Sequence, residues 1–166
     1  MKKIIIPLIL ILCLSACNGS SELFEYQQSA AGYNAVISYM GEEFSAVITL
    51  SPLNEGARDS LSIEYTEPES ISGYTVKREG ENYLACISGL EIPVTSESLP
   101  QLVYTDALFS LSSENITSID TDGDGNTVVK VSQGDFGAEA VVVFLSDGRL
   151  SSLSLPGAEF IIRIKQ

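Results

Sequence analysis

The sequence predicts a mainly β (α+β) domain: an antiparallel, strongly curved sheet or unclosed β-barrel, with one mid-chain α-helix that covers or plugs it. Three observations support this fold class. Short runs in which apolar and polar residues alternate recur from residue 31 to the carboxyl terminus. Gly, Asp and Pro separate these runs, as in antiparallel strands joined by tight turns. Only residues 98–113 replace alternation with helical spacing.

The amino terminus has the organisation of a secretion signal. Two lysines precede an apolar run, residues 4–14, which leads into Leu14-Ser15-Ala16-Cys17. A cationic start, a short apolar core and small residues at a cleavage point define a signal peptide. The run is too short for a membrane-spanning helix, which needs ~20 residues. We therefore expect a signal peptide over residues 1–16, a tether over 17–30 and a single domain over 31–166.

The Leu-Ser-Ala-Cys sequence resembles the lipobox of bacterial lipoproteins. The resemblance implies that the Cys17 thiol receives a diacylglyceryl group and that cleavage before Cys17 makes it the first mature residue. A thiol suits this role because its thiolate is a good nucleophile. Two acyl chains give stable membrane attachment where one is marginal. The expected location is extracytoplasmic, anchored to the bacterial cell membrane, with the choice between inner and outer membrane left open.

The charge of the expected mature chain excludes some partners. Residues 1–16 contain two of the 9 basic residues and no acidic one, so 7 basic residues remain against 22 acidic ones. This net charge of −15 excludes nucleic acid as a partner, because nucleic-acid binding needs clustered Lys and Arg. Electrostatic attraction to anionic lipids is excluded for the same reason. Cys86 is the one cysteine left unassigned, and we predict a small buried apolar residue in a strand.

The strands predicted before the helix follow one another closely. Alternation appears in YNAVISYM, FSAVITL, SLSIEYT, SGYTVKR, NYLACIS and LEIPV. The predicted inward faces of the first three runs are Tyr33, Ala35, Ile37 and Tyr39, then Phe44, Ala46, Ile48 and Leu50, then Leu61, Ile63 and Tyr65. Such half-buried runs are typical of an antiparallel sheet with one face on the core.

One amphipathic helix is predicted within residues 98–113. Ser98 and Gln101 have the spacing of a capping box, and Pro100 is tolerated in a first helical turn. The predicted apolar face, with Val103 beside it, consists of Tyr104, Ala107, Leu108 and Leu111.

Five further strands are predicted after the helix. They are NITSID, TVVKVSQ, FGAEAVVVFLS, RLSSLSL and AEFIIRIK, with a hairpin at Asp147-Gly148 and a turn at Pro156-Gly157. The run AVVVFL is apolar on both faces, which predicts a central strand covered on both sides. In the last strand Phe160, Ile162 and Ile164 are predicted to face inward.

The segment DTDGDGN contains the first half of a calcium-binding loop. Asp120, Asp122 and Asp124 alternate as they do where carboxylates bind a hard cation. The twelfth position, where a bidentate Glu belongs, is Val131, and the flanking segments are predicted strands. We therefore interpret the segment as a tight acidic hairpin turn, with a weak Ca²⁺ site as the alternative.

Catalytic groups are scarce in this sequence. It contains no His, which excludes Ser-His-Asp and Cys-His arrangements. The acidic pairs Glu42-Glu43 and Glu67/Glu69 flank predicted turns, where carboxylates are usually solvated. We predict that the protein is not an enzyme and needs no cofactor.

The order of elements resembles a known superfamily. Within IEYTEPESISGYTVKREGENYLACISGLEIPV a strand ends near Tyr65, Pro68 and Gly73 follow, and a strand–turn–strand unit leads into the helix. This order is similar to that of the lipoprotein-carrier superfamily, the LolA and LppX/LprG-type proteins, and of related small lipoproteins of Gram-positive bacteria. The sequence departs from the carriers in having no long helix before the first strand and no Trp.

The resemblance implies an unclosed barrel whose helix acts as a lid over an apolar cavity that takes acyl chains. The candidate lid residues are then Tyr104, Ala107, Leu108 and Leu111. The alternative is a helix that simply plugs the core. Two functions follow: binding or shuttling a lipid or other apolar ligand without catalysis, or a cell-surface protein-interaction or envelope-structural module with a filled core.

Overall fold

The predicted fold class is confirmed by the computed structural model, which describes residues 23–54, 57–134 and 138–166. Eleven strands form one antiparallel sheet in the order β8-β7-β6-β5-β2-β1-β13-β12-β11-β10-β9, and its two edge strands do not pair with each other. The strands are β1 Ala31–Tyr39, β2 Glu42–Leu50, β3 Leu53–Asn54, β4 Ala57–Arg58, β5 Ser60–Glu67, β6 Thr75–Glu79, β7 Asn82–Ile87, β8 Leu90–Val94, β9 Ile116–Thr121, β10 Thr127–Gln133, β11 Ala138–Phe144, β12 Leu150–Leu155 and β13 Phe160–Ile164. The α-helix, α1, is Pro100–Leu108, and β3 pairs only with β4.

The sheet curves around α1. The helix contacts β5 and β6 on one side and β12 and β13 on the other. Strands β6 and β12 are five positions apart in the sheet, which in a flat sheet is about 24 Å. A helix with side chains is only ~10–12 Å across, so the sheet must bend for one helix to contact both. The surface that faces α1 is called the concave face below.

Alternation in the sequence correctly predicts which residues line the concave face. Ile37, Ile48, Ile63 and Ile162 have no exposed surface, and the other predicted inward residues of β1, β2, β5 and β13 are buried or packed against this core. The predicted turns at Asp147-Gly148 and Pro156-Gly157 also form, between β11 and β12 and between β12 and β13, and β1 joins β2 through Met40-Gly41.

The four connections β1–β2, β5–β6, β7–β8 and β12–β13 lie side by side at one end of the sheet. They comprise residues 40–41, 68–74, 88–89 and 156–159. The backbone N–H of Met40 donates to the carbonyl of Glu159 at 3.3 Å, which joins two of them directly. This end is called the hairpin end. The described chain begins at the opposite end, because Leu23 precedes β1, whose last residue reaches the hairpin end.

Three predictions about individual elements were wrong. The helix ends at Leu108 instead of continuing to 113, and its N-cap is Leu99 with no side-chain cap, so Ser98 and Gln101 do not form a capping box. Strand β11 is fully covered on one face only, because Val141 and Val143 are half-buried. In β7 the buried residue is Ala85, while the neighbouring Cys86 is half-buried on the other face.

The packed part of the chain begins before residue 31. Phe24 and Gln27 are 4% and 1% exposed, and a short 3₁₀ helix spans Glu25–Gln27. The predicted signal peptide over residues 1–16 and Cys17, the predicted lipidation site, lie outside the described residues. None of the described helices has the length and apolar character needed to cross a membrane.

Candidate functional site

The centre of the concave face is filled by α1 and the residues that follow it. Leu102, Thr105, Leu108 and Phe109 have no exposed surface, and Leu111 is 3% exposed. Thr105 satisfies its buried hydroxyl by donating to the carbonyl of Gln101 at 2.7 Å. The helix therefore plugs the core over most of its length.

The four residues predicted as a lid occupy different positions. Leu108 and Leu111 are buried in the core, whereas Tyr104 and Ala107 are half-buried. Sequence reasoning missed Leu102 and Phe109, which contribute as much to the plug as Leu108 does. Leu102, Thr105, Leu108 and Phe109 follow the spacing of one helical face, so the signal was present but contained a Thr.

A buried arginine closes the end of the sheet opposite to the hairpin end. Arg58 is 2% exposed, and its guanidinium donates to three backbone carbonyls: Ser51, Gln27 at 3.1 Å and Phe109 at 2.6 Å. These carbonyls belong to the β2–β3 connection, the amino-terminal segment and the end of α1. Burial lowers the pKa of Arg58. One side chain thus ties three separate segments together.

A second arginine and a group of aromatic rings complete this closure. Arg78 pairs with Asp106 on α1 at 3.0 Å and donates to the carbonyls of Arg58 and Gly80. The ring of Tyr26 packs edge-on against Phe109 and Phe144, each at 6.0 Å between centroids. Burial raises the pKa of the Tyr26 hydroxyl well above its usual value. A cavity of about 300 Å³ remains at this end, and its lining includes Phe24, Leu53 and Leu111.

Aromatic rings lie at the hairpin end. Tyr39, Phe44, Tyr74 and Tyr104 are half-buried there, and Tyr65 and Phe160 are buried. Tyr39 packs against Tyr104 of α1 at 6.0 Å and against Phe160 at 6.1 Å. Tyr65 contacts Phe44 edge-on at 5.7 Å and stacks on Tyr74 at 5.8 Å. Burial raises the pKa of Tyr65 to about 12, while Tyr39, Phe44 and Tyr74 are still partly exposed.

The concave face continues from these rings to an uncovered edge. In the register, Ile63 pairs with Val76, Val76 with Ala85 and Ala85 with Ile92. Along this row the exposed fraction rises from 0% through 2% and 6% to 41% at Ile92. Ile87 and Leu90 share this face by alternation and are 50% and 63% exposed.

These residues form one apolar surface, called the open strip below. The open strip consists of Tyr39, Phe44, Tyr74, Ile87, Leu90 and Ile92, and the buried ring of Tyr65 contacts Phe44 and Tyr74. Sequence reasoning did not identify it as a site. Its alternation was visible, but alternation predicts burial and cannot show which inward positions the helix leaves uncovered.

A groove adjoins the open strip at Tyr104. It has a volume of about 320 Å³ and is lined by Ser96, Glu97, Pro100, Val103 and Tyr104. This volume is at the lower limit of typical small-molecule sites, about 300 Å³. The arrangement offers apolar contact along an open surface, with a filled core beneath it.

The acidic segment 120–126 forms the predicted hairpin turn between β9 and β10. The Asp122 carboxylate accepts from the backbone N–H groups of Asp124 and Asn126 and from the Asn126 amide, each at 2.9 Å. These hydrogen bonds, chiefly those from Asn126, lower the pKa of Asp122. Its oxygens are thus occupied by the turn itself. Across the described ranges, Asp120, Asp122 and Asp124 do not form a group that could hold a metal ion.

Comparison with known proteins gives likenesses in fold. No family model and no curated protein matches the chain. An uncharacterized conserved protein from Thermus thermophilus aligns with a TM-score of 0.47 and 11% identity, over 90% of this chain and 84% of that one. LolA superfamily protein NE2245 from Nitrosomonas europaea aligns with a TM-score of 0.44 and 10% identity, over 89% of this chain and 91% of that one. A putative outer membrane lipoprotein-sorting protein domain from Vibrio parahaemolyticus aligns with a TM-score of 0.45 and 10% identity, over 89% of each chain.

Proposed function

We propose that this chain is an extracytoplasmic lipoprotein, anchored through a diacylglyceryl group on Cys17, that binds an apolar ligand on the open strip without catalysis. The ligand class that fits best is a lipid acyl chain. The observation that carries the proposal is the uncovered part of the concave face, where Ile87, Leu90 and Ile92 are 50%, 63% and 41% exposed.

Apolar side chains of this size are normally buried in a folded domain, so their shared exposure on one face favours a binding surface. Each methylene of a ligand that leaves water there contributes roughly 0.8 kcal/mol. About eight methylenes laid along the strip therefore give about 6 kcal/mol before the cost of association. The half-buried rings of Tyr39 and Tyr74 extend the same surface toward α1.

The filled core limits the geometry of binding. Leu102, Leu108 and Phe109 occupy the volume that an enclosed acyl chain would need. The proposed ligand therefore lies along the open strip and the groove beside Tyr104, and α1 forms one wall instead of a movable lid.

The experiment is native mass spectrometry of the chain from Asn18 onward, purified from bacterial cytosol, with organic extraction of the same sample. We expect a stoichiometric adduct that extracts as a lipid. Ile92→Glu places a charge in the open strip and should remove the adduct. Ile119→Glu is the matched control, because Ile119 is 50% exposed on β9 at the other edge of the sheet. A wild-type chain without adduct, even after incubation with phospholipid or fatty acid, would contradict the proposal.

A second candidate is a cell-surface protein-interaction or envelope-structural module. The filled core together with an exposed apolar patch favours it. In this case the open strip contacts a protein, and the same experiment gives a clean mass with no uptake of added lipid.

A further inference from the structure

The hairpin end carries exposed apolar side chains at the tips of neighbouring hairpins. Met40, in the β1–β2 turn, is 68% exposed, and Ile87 and Leu90, which flank the β7–β8 turn, are 50% and 63% exposed. The β5–β6 connection lies between these two hairpins in the sheet order and contributes half-buried Ile71. Among the described residues, three of the four large apolar side chains that are at least 50% exposed thus lie at the hairpin end, and the fourth is Ile119 on β9.

The charged side chains in these connections are acidic, and Arg163, which lines a cavity with Gly41 and Glu159, is paired with Glu43 at 2.8 Å. Glu42, Glu69 and Glu159 lie in or next to the same connections and are exposed. Their neighbours Glu43 and Glu91 form ion pairs, but none of the ion pairs in the described part of the chain includes Glu42, Glu69 or Glu159. Residues 40–41, 68–74, 88–89 and 156–159 contain no Lys or Arg. The rim is defined here as Met40, Ile87, Leu90, Glu42, Glu69 and Glu159.

We infer that the rim is a docking surface for a protein partner whose apolar side chains are flanked by Lys or Arg, as on a basic amphipathic helix. The apolar tips supply burial, and the carboxylates select cations and disfavour an anionic bilayer. Such a partner can bury the apolar tips and also pair with the carboxylates, whereas a purely apolar ligand can only bury the tips. This inference goes beyond the proposed ligand binding, because it assigns a protein partner to the hairpin tips. Ile87 and Leu90 belong to both the open strip and the rim, so an acyl chain that covers them competes with this partner.

The position of the rim agrees with a protein partner. Cys17 precedes Leu23 by six residues, which extend at most ~20 Å. Strand β1 has nine residues, so the rim lies about 30 Å from the end at which Leu23 enters the domain. With Cys17 as the anchor, the domain cannot stand with its rim on the anchoring membrane. The rim then faces away from that membrane or along it.

The test measures binding of a synthetic amphipathic helical peptide of Leu and Lys that carries one Trp. The protein contains no Trp, so the peptide's emission reports binding without background. The protein used is the chain from Asn18 onward, which contains the whole described core. We expect a blue shift on binding and an affinity that falls as salt rises.

Two matched pairs of variants locate the contact. Met40→Ser should weaken binding about tenfold, because fully burying Met40, which belongs to the rim but not to the open strip, accounts for roughly 1.4 kcal/mol in the complex. Ile119→Ser, with similar exposure at the other sheet edge, should leave affinity unchanged. The double variant Glu42→Gln/Glu69→Gln should remove most of the salt dependence, whereas Asp59→Asn/Glu81→Gln at the opposite end should not.

Two outcomes would overturn the inference. One is equal loss of affinity in the rim variants and their controls. The other is binding of the protein to phosphatidylcholine or phosphatidylglycerol vesicles that Met40→Ser abolishes, which would make the rim a lipid-contact surface. Neither outcome bears on the lipid adduct of the native mass experiment, so the two proposals can fail separately.

Discussion

Truncating Leu108 tests whether α1 plugs the core or covers an empty space. Leu108 has no exposed surface and belongs to the single hydrophobic core. Leu108→Ala removes roughly three methylene equivalents, which cost about 2.4 kcal/mol in lost transfer free energy. If about 60 Å³ of cavity remains, the cavity term adds about 1.4 kcal/mol. The free energy of unfolding should therefore fall by about 4 kcal/mol.

The assay is urea unfolding followed by far-ultraviolet circular dichroism, with Leu90→Ala as the matched control. Leu90 undergoes the same chemical change but is 63% exposed, so its truncation should cost less than about 1 kcal/mol. A cost for Leu108→Ala no greater than that for Leu90→Ala would refute the reasoning. It would mean that Leu108 faces a void and that α1 is a lid.

Three further predictions concern other parts of the molecule. Arg58→Ala removes the donor that the carbonyls of Ser51, Gln27 and Phe109 share. Although the variant also removes a buried charge, urea titrations should show that the free energy of unfolding falls by at least about 2 kcal/mol. A loss under about 1 kcal/mol would contradict this prediction. The pKa of Tyr65 is raised from 10.0 to about 12, so its contribution to stability is complete below pH 10 and is lost as pH rises toward 12. Tyr65→Phe should make the alkaline decline of unfolding free energy shallower, and an unchanged slope would count against burial of the hydroxyl. The Asp122 carboxylate accepts hydrogen bonds from its own turn, so CaCl₂ should leave the melting temperature unchanged in the wild type and in Asp122→Asn. A calcium-dependent rise in the melting temperature of the wild type alone would show that calcium binds at this turn.

The strands could be predicted from the sequence because their signal is local. Period-two alternation assigns each residue of β1, β2, β5 and β13 to a face without knowledge of the rest of the fold. The end of α1 could not be predicted in this way. Leu111 continues the apolar pattern, but it is buried in the segment after the helix, where Phe109 has already left helical geometry.

The open strip and the role of Arg58 depend on tertiary packing. A nine-residue helix is about 14 Å long, whereas a nine-residue strand is about 30 Å long, so α1 cannot cover the whole concave face. The alternating sequence of β8 assigns Ile92 to the concave face, but it does not indicate whether another element covers Ile92 there. Arg58 lies in a two-residue strand with no pattern around it, and its three acceptors are backbone groups of residues distant in sequence.

The central claim is that an apolar ligand lies on the open strip, above a filled core. The most direct measurement is photo-crosslinking of the chain from Asn18 onward with a fatty acid carrying a terminal diazirine, followed by peptide mapping. We expect labels between Tyr74 and Ile92 and on Tyr39 or Phe44, at positions that are exposed or half-buried. Labels on Leu102, Leu108 or Phe109 would show that the chain enters the core, and labels confined to β9–β11 would show that the open strip is not the site; either result would contradict the account.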